Sequence, residues 1–185
     1  MDNADILSTI RERRSVHRFL SEPVAWSAIE TVLEAGRWAP SRFNTQPWQF
    51  IVIQDPETRG KISQIIQRFT IAWEGVVQAP YLICTLVDPA MDDRHFVEAG
   101  AVATQNMALM ATSLGLSTYW IGLLNGYDKP ESAEAEIARL LAVPKGYRII
   151  SLLPVGKPAY KATGERKKLE HLVHFETHGN KVRAS

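Results

Sequence analysis

Apolar positions along the chain recur with two different periods, and the changes from one period to the other mark out its elements. From Asp5 to Arg13, Ile6, Leu7 and Ile10 have helical spacing. A second helix is expected from Pro23 to Trp38, with Val24, Ile29, Val32, Leu33 and Gly36 on one side. The Ala39-Pro40-Ser41 turn opens a loop that reaches Pro47. Trp48 to Ile53 is a short apolar run closed by Asp55-Pro56 and predicts a strand. A helix from about Glu57 to Phe69 follows, then a strand over residues 81–87, entered through Pro80 and left through Asp88-Pro89.

From about Arg94 to Leu114 the residues are rich in Ala, Met and Leu on more than one face, which describes a helix buried on most sides and stopped at Gly115. Its small residues also suit close packing against a twofold mate, so it reads equally as a central core helix and as an interface helix. Ser117 to Leu123 reads as strand and turn, Glu131 to Leu141 as a helix ended by Pro144, and Arg148 to Val155 as a strand. A polar connection, Gly156 to Lys168, leads into an extended tail from Leu169 to Phe175. Helices and strands mix without regular alternation, so the fold class is α+β. With no repeat and no dividing linker, one domain is expected over residues 1–185.

A chain of 185 residues can bury roughly 70% of the surface its unfolded form exposes. A core needs no disulfide or metal staple, and the single Cys84, inside an apolar run, reads as a buried, unreactive thiol in a reducing compartment. The net charge of +1 supplies no global field for nucleic acid or acidic membranes. Neither a secretory leader nor a membrane-spanning run is recognisable, which gives a cytoplasmic reading without a membrane partner.

Local chemistry is richer than the bulk charge. Arg11-Glu12-Arg13-Arg14-Ser15-Val16-His17-Arg18 gathers arginine forks, a serine and a histidine at a helix end. Such donors suit a phosphate monoester, although a solvated basic helix end gives the same pattern. Between Pro40 and Pro47, Ser41, Asn44 and Gln46 offer side chains that donate and accept, as the edge of a planar heterocycle requires, or as an ordinary turn uses for its own backbone. His171, His174 and His178 have a spacing that would share one helical face, but they fall in the expected tail, without Cys or acidic companions, and no metal site is expected.

Taken together, Arg13-Arg14-Ser15-x-x-Arg18-Phe19, Glu22-Pro23-Val24 and Ala35-x-x-Trp38-Ala39-Pro40-Ser41-x-x-Asn44-x-Gln46-Pro47-Trp48-x-Phe50 resemble the opening of the nitroreductase family over about forty positions. Later segments agree: Ala79-Pro80, Leu114-Gly115-Leu116, Tyr119-Trp120-Ile121-Gly122, Leu141-x-Val143-Pro144-x-Gly146, Val155-Gly156-Lys157-Pro158 and Arg166-Lys167-Lys168-Leu169-Glu170. The resemblance implies a nitroreductase-like fold, a mostly antiparallel central sheet flanked by helices, with a C-terminal tail reaching onto the partner subunit. It further implies a homodimer binding two FMN molecules at the interface. NADH or NADPH would be the electron donor, and a small organic acceptor, nitroaromatic, quinone or enone, the oxidant in a ping-pong cycle.

Residue by residue, the resemblance gives Arg13 and Ser15 to the flavin phosphate and ribityl chain, with Arg14 beside them. Pro40, Ser41, Asn44 and Gln46 fall to the loop lining the isoalloxazine, with Pro47 beyond. Trp120, Ile121 and Gly122 would pass its reactive edge, and Arg166 with Lys168 would close over the phosphate. No side chain is expected to be catalytic, because the flavin carries the chemistry. One position departs from the pattern: His17 stands where relatives carry Arg or Lys facing the pyrimidine end of the ring. An imidazole supplies a full positive charge there only when protonated. Relatives with other reactions, reductive dehalogenation, flavin fragmentation or azoline oxidation, leave the reaction open, as does a flavin- or nucleotide-binding module without turnover.

Overall fold

The computed structural model describes residues 3–70, 73–123 and 131–182. Helices α1 (Asn3–Glu12) and α2 (Trp26–Arg37) precede strand β1 (Trp48–Ile53), helices α3 (Pro56–Ile66) and α4 (Glu74–Gln78), and strand β2 (Tyr81–Val87). Helix α5 (Phe96–Ser113), the short strands β3 (Ser117–Thr118) and β4 (Ile121–Gly122), helix α6 (Ala133–Leu140), strand β5 (Arg148–Gly156) and helix α7 (Leu169–Leu172) complete the order.

The sheet runs β1-β2-β5, with β3 and β4 both pairing against the far side of β5, and every named pair is antiparallel. β2 is buried along its whole length, which is why it reads as a continuous apolar run instead of alternating. Leu82, Cys84 and Leu86 pack with Ile62 and Ile66 of α3 and Ile137 of α6. Tyr81 and Ile83 pack with Ile29 and Val32 of α2 and Met107 and Ala111 of α5. The sheet is therefore the middle of three layers, as the α+β reading requires.

Helix α5 lies close on the sheet. The Thr104 hydroxyl is 2.8 Å from both the Gly100 carbonyl and Ser151 Oγ and 3.2 Å from Thr85 Oγ1, so three buried hydroxyls satisfy one another. A register shift in the β2–β5 ladder beside Thr85 and Leu86 leaves Ile150 as an extra residue. Gly100 makes room for it: a Cβ there would stand 2.5 Å from Ile150 Cγ1 and 2.9 Å from Val87 Cγ1. Gly100→Ala is expected to destabilise by about 1–3 kcal/mol through overpacking, read as a lower urea midpoint at unchanged m-value.

Several boundaries differ from the sequence expectation. α2 starts at Trp26, three residues after Pro23. α3 ends at Ile66, short of Phe69, and opens with the Asp55 carboxylate accepting from the Thr58 N–H at 2.7 Å. α4 was not foreseen; tertiary contacts hold its five residues. Arg59 of α3, buried, donates to the carbonyls of Val77 (2.6 Å) and Ala79, and Ser63 Oγ donates to Trp73 O at 3.1 Å. The expected extended tail instead begins with the single turn α7. Lys181 Nζ donates to Glu170 O and Val173 O at 2.9 Å each, satisfying carbonyls that a bare turn would leave open.

Candidate functional site

The two ends of the chain are zipped together. Leu20 N–H donates to Lys157 O and Ala159 N–H to Arg18 O, each at 3.0 Å, and His17 N–H donates to the Tyr160 hydroxyl at 3.2 Å. On its other side the N-terminal segment pairs with β3: Val16 N–H donates to Thr118 O at 3.1 Å, in a parallel bridge at Ser15. Residues 14–20 thus lie between β3 and a strap formed by residues 157–164. This arrangement carries Arg166, near the end of the sequence, into electrostatic reach of Arg13.

Arg13 is half-buried. Its guanidinium is held below the usual arginine range first by desolvation, then by the charges of Arg14 and Arg166. Among the described residues no carboxylate pairs with any of the three. Uncompensated cations are costly unless an anion joins them. Ser15 is exposed beside them, so the donor set is two or more guanidinium forks and a hydroxyl, the chemistry that grips a phosphate monoester. Lys168 is exposed, its ammonium 3.8 Å from Glu170 Oε1, and no described contact links it to Arg13.

Next along the segment, the His17 imidazole is exposed and meets Tyr119 edge-on, ring centres 4.7 Å apart. Tyr119 is buried, and burial pushes its phenol up. Behind both lies α4, whose Gly75 is required: a Cβ there would stand 2.6 Å from the His17 carbonyl and 2.8 Å from the Tyr119 hydroxyl. The β5 ladder breaks between Thr118, paired with Val155, and Ile121, paired with Leu152. Opposite the break stands Pro154, which has no N–H to give. The break lets Trp120 turn outward, 41% exposed, alongside Gly122. No described strand pairs with the outer edge of β4.

The loop after Pro40 is a 3₁₀ turn over Arg42–Asn44. Ser41 Oγ accepts from Gln46 N–H at 2.9 Å, and the Gln46 amide donates to Asn44 O at 3.4 Å. Phe43, Asn44 and Gln46 all have positive φ (49°, 58° and 50°), a concentration of left-handed residues that marks a shaped loop. Arg42 reaches the buried Asp92 carboxylate at 3.8 Å, and Pro47 O accepts from Asp88 N–H at 2.9 Å. No described hydrogen bond, ion pair or ring contact joins this loop to Arg13, His17 or Trp120. Within one chain, then, Arg13, Arg14, Ser15, His17 and Arg166 gather around the strap, Trp120, Ile121 and Gly122 follow β3 along β5, and Pro40, Ser41, Asn44 and Gln46 make no described hydrogen bond, ion pair or ring contact with either set.

Tyr160, Gly164 and Gly75 were missed by sequence reasoning. Nothing local signals them, because each acts through a partner far along the chain. The expected tail histidines are partly joined: His174 and His178 stack at 4.3 Å, and His174 Nδ1 accepts from Gly179 N–H at 2.6 Å.

A second feature is an apolar groove of about 560 Å³ between α1, α2 and α5, lined by Ile6, Ile10, Ala35, Trp38, Leu109 and Met110. Trp38 is 71% exposed on its rim. Helix α5 accordingly buries one face in the core and offers another to the outside. No described helix is long and apolar enough to cross a membrane.

The model of the nitroreductase family matches residues 10–73 and 70–157. A protein of Methanothermobacter thermautotrophicus, named for NADH dehydrogenase and NAD(P)H nitroreductase activity, is 31% identical over 157 residues, 84% of this chain and 78% of its own. The FMN reductase [NAD(P)H] of Bacillus subtilis is 29% identical over 198 residues, 95% of this chain and 75% of its own. A structure from Desulfovibrio desulfuricans, solved in complex with FMN, superposes with a TM-score of 0.76 at 29% identity, covering 96% of this chain and 99% of that one.

Proposed function

Because the chain belongs to the nitroreductase family, we propose that this NAD(P)H-dependent FMN oxidoreductase reduces a small nitroaromatic, quinone or enone and works as a cytoplasmic homodimer. The observation that carries the reading is the set of guanidinium groups, drawn from both chain ends and lacking any described carboxylate, beside an exposed serine. Held by these groups, FMN would supply the electron-carrier chemistry between NADH or NADPH and the acceptor.

The protein's own residues supply grip, orientation and access. Arg13, Ser15 and Arg166 hold the phosphate, and Lys168, further along the tail, adds charge to the same end. Trp120, Ile121 and Gly122 present the outer edge of β4 and an indole face to the ring and its acceptor. The loop of Pro40, Ser41, Asn44 and Gln46 stands apart from these groups within one chain, and in the dimer it serves the ring held by the second protomer. The apolar groove along α1, α2 and α5 supports such a dimer, since an exposed apolar patch of this kind marks an association surface.

The purified protein is expected to be yellow, to elute as a dimer, and to bleach anaerobically with NADH or NADPH. Colour returns when an acceptor is added from a panel of nitroaromatics, quinones, enones and a halogenated tyrosine. A colourless preparation that ignores micromolar FMN overturns the reading.

His17 stands where the family pattern has Arg or Lys, and a fixed cation there would favour the negative charge that reduction brings to the pyrimidine end of the ring. At one pH, His17→Arg should therefore raise the flavin potential above that of the wild type; equal potentials would remove position 17 from this role.

A further inference from the structure

Arg14 has a different task from Arg13, although the two are neighbours in sequence. Its Nη1 donates to the carbonyls of Arg11 and, at 2.8 Å, Arg13, and its Nη2 donates to Gly164 O at 3.4 Å. Its Nε is shut away from solvent with no partner among the described residues. Most of the fork is thus spent on main chain, and a single Nη2 hydrogen is left over. The side chain also leaves the segment on the side of Val16: both line a groove of about 860 Å³ with Ser117, Tyr160, Thr163 and Gly164. Ser15 and His17 are exposed and do not line that groove.

The carbonyls that Arg14 binds belong to two places that must be held together. Arg11 and Arg13 lie at the end of α1, where main-chain acceptors are left open. Gly164 lies in the strap, two residues before Arg166. A Cβ on Gly164 would stand 3.4 Å from Arg14 Nε and 3.6 Å from Arg166 Nη1, so Arg14 and Arg166 flank the same glycine.

We infer that Arg14 is a positioning residue, a clasp that fastens the strap at Gly164 to the end of α1 and so holds Arg166 beside Arg13. Arg14 itself does not bind the phosphate. The inference deepens the flavin reading and in one part rests on it.

The test is a double-mutant cycle read as the ratio of FMN to riboflavin affinity, since only FMN carries the phosphate. Arg166→Ala should lower that ratio about tenfold, the scale of one charge-assisted hydrogen bond. Arg14→Ala should lower it by a similar factor, and the double variant no further, because Arg166 is already misplaced. Arg14→Lys, which keeps the charge and loses the fork, should behave as Arg14→Ala. A second readout needs no ligand: in the flavin-free protein, hydrogen exchange of amides 160–166, in the strap and just after it, should speed up in Arg14→Ala and Arg14→Lys but not in Arg13→Ala.

Additive losses in the cycle, or a ratio preserved by Lys, would mean that Arg14 meets the phosphate directly and would overturn the clasp. Unchanged strap exchange overturns it as well, as does faster exchange with an unchanged ratio. Should the wild type bind riboflavin as tightly as FMN, the flavin-phosphate reading falls instead, and the exchange experiment still decides whether Arg14 holds the strap.

Discussion

Arg13→Ala should weaken FMN binding by about 10- to 100-fold and leave riboflavin binding unchanged. The size follows from one charge-assisted fork, roughly 1.5–3 kcal/mol at 1.4 kcal/mol per decade. The selectivity follows from where the charge is aimed, at the phosphate that riboflavin lacks. Arg13 is the right residue to remove because no described contact depends on its side chain: no described carboxylate or carbonyl accepts from its guanidinium, and the charges that act on it are those of two more cations. Flavin-free Arg13→Ala should therefore be no less stable than wild type, and a small gain is expected as like-charge repulsion is relieved. Depressed as its titration is, an arginine stays charged throughout the pH range in which a protein is folded. The FMN advantage should then fade only as the phosphate takes up its second proton, near pH ~6. Fluorescence titration with each flavin, beside a thermal melt of the flavin-free protein, checks all three statements. Equal loss of both flavins would place Arg13 in the scaffold; no loss of either would remove the phosphate site.

How far the sequence could be read depended on whether the cause of each feature was local. β1 and β2 were bounded correctly because Asp55-Pro56 and Asp88-Pro89 end them within the chain itself. α4 and α7 were not, since Arg59 and Lys181 stabilise them from outside. Asn44 in a left-handed conformation is unsurprising, but nothing in propensity announces Phe43, which is 85% exposed, in the same state. At the site, the linear run Arg13 to His17 was legible as anion chemistry. Its division into outward Ser15 and His17 and inward Arg14 was not, because it is set by pairing with residues 157–164, about 140 positions away. The resemblance to a known family implied that Arg166 joins Arg13 at one phosphate, and the strap is the physical means by which one chain brings Arg166 within electrostatic reach of Arg13.

The largest effect on stability is expected at a residue that sequence reasoning left inside a helix without comment. Glu134, in the first turn of α6, is 1% exposed. Its Oε1 accepts from Arg148 Nε at 2.9 Å and from Ile149 N–H at 3.0 Å, and its Oε2 accepts from Arg148 Nη2 at 3.2 Å. The carboxylate thus anchors both the first side chain and the second backbone N–H of β5, the strand on which β3 and β4 hang. Glu134→Ala strips a buried fork-on-fork pair and leaves a buried N–H without its acceptor, which costs about 3–5 kcal/mol. Against a total of about 5–15 kcal/mol this is a large share of the stability, and a chain of this size should melt roughly 10 °C lower. Glu134→Gln keeps the shape and one acceptor oxygen and should lose about half as much. Replacing both partners, Glu134→Leu with Arg148→Met, should recover most of the loss, because a buried ion pair contributes little over a well-packed apolar pair once neither charge is stranded. Urea unfolding at fixed protein concentration, monitored by tryptophan fluorescence, reads all three variants on one scale. A Glu134→Ala protein within 1 kcal/mol of wild type would show that water reaches the pair and that β5 is fastened to α6 by packing alone.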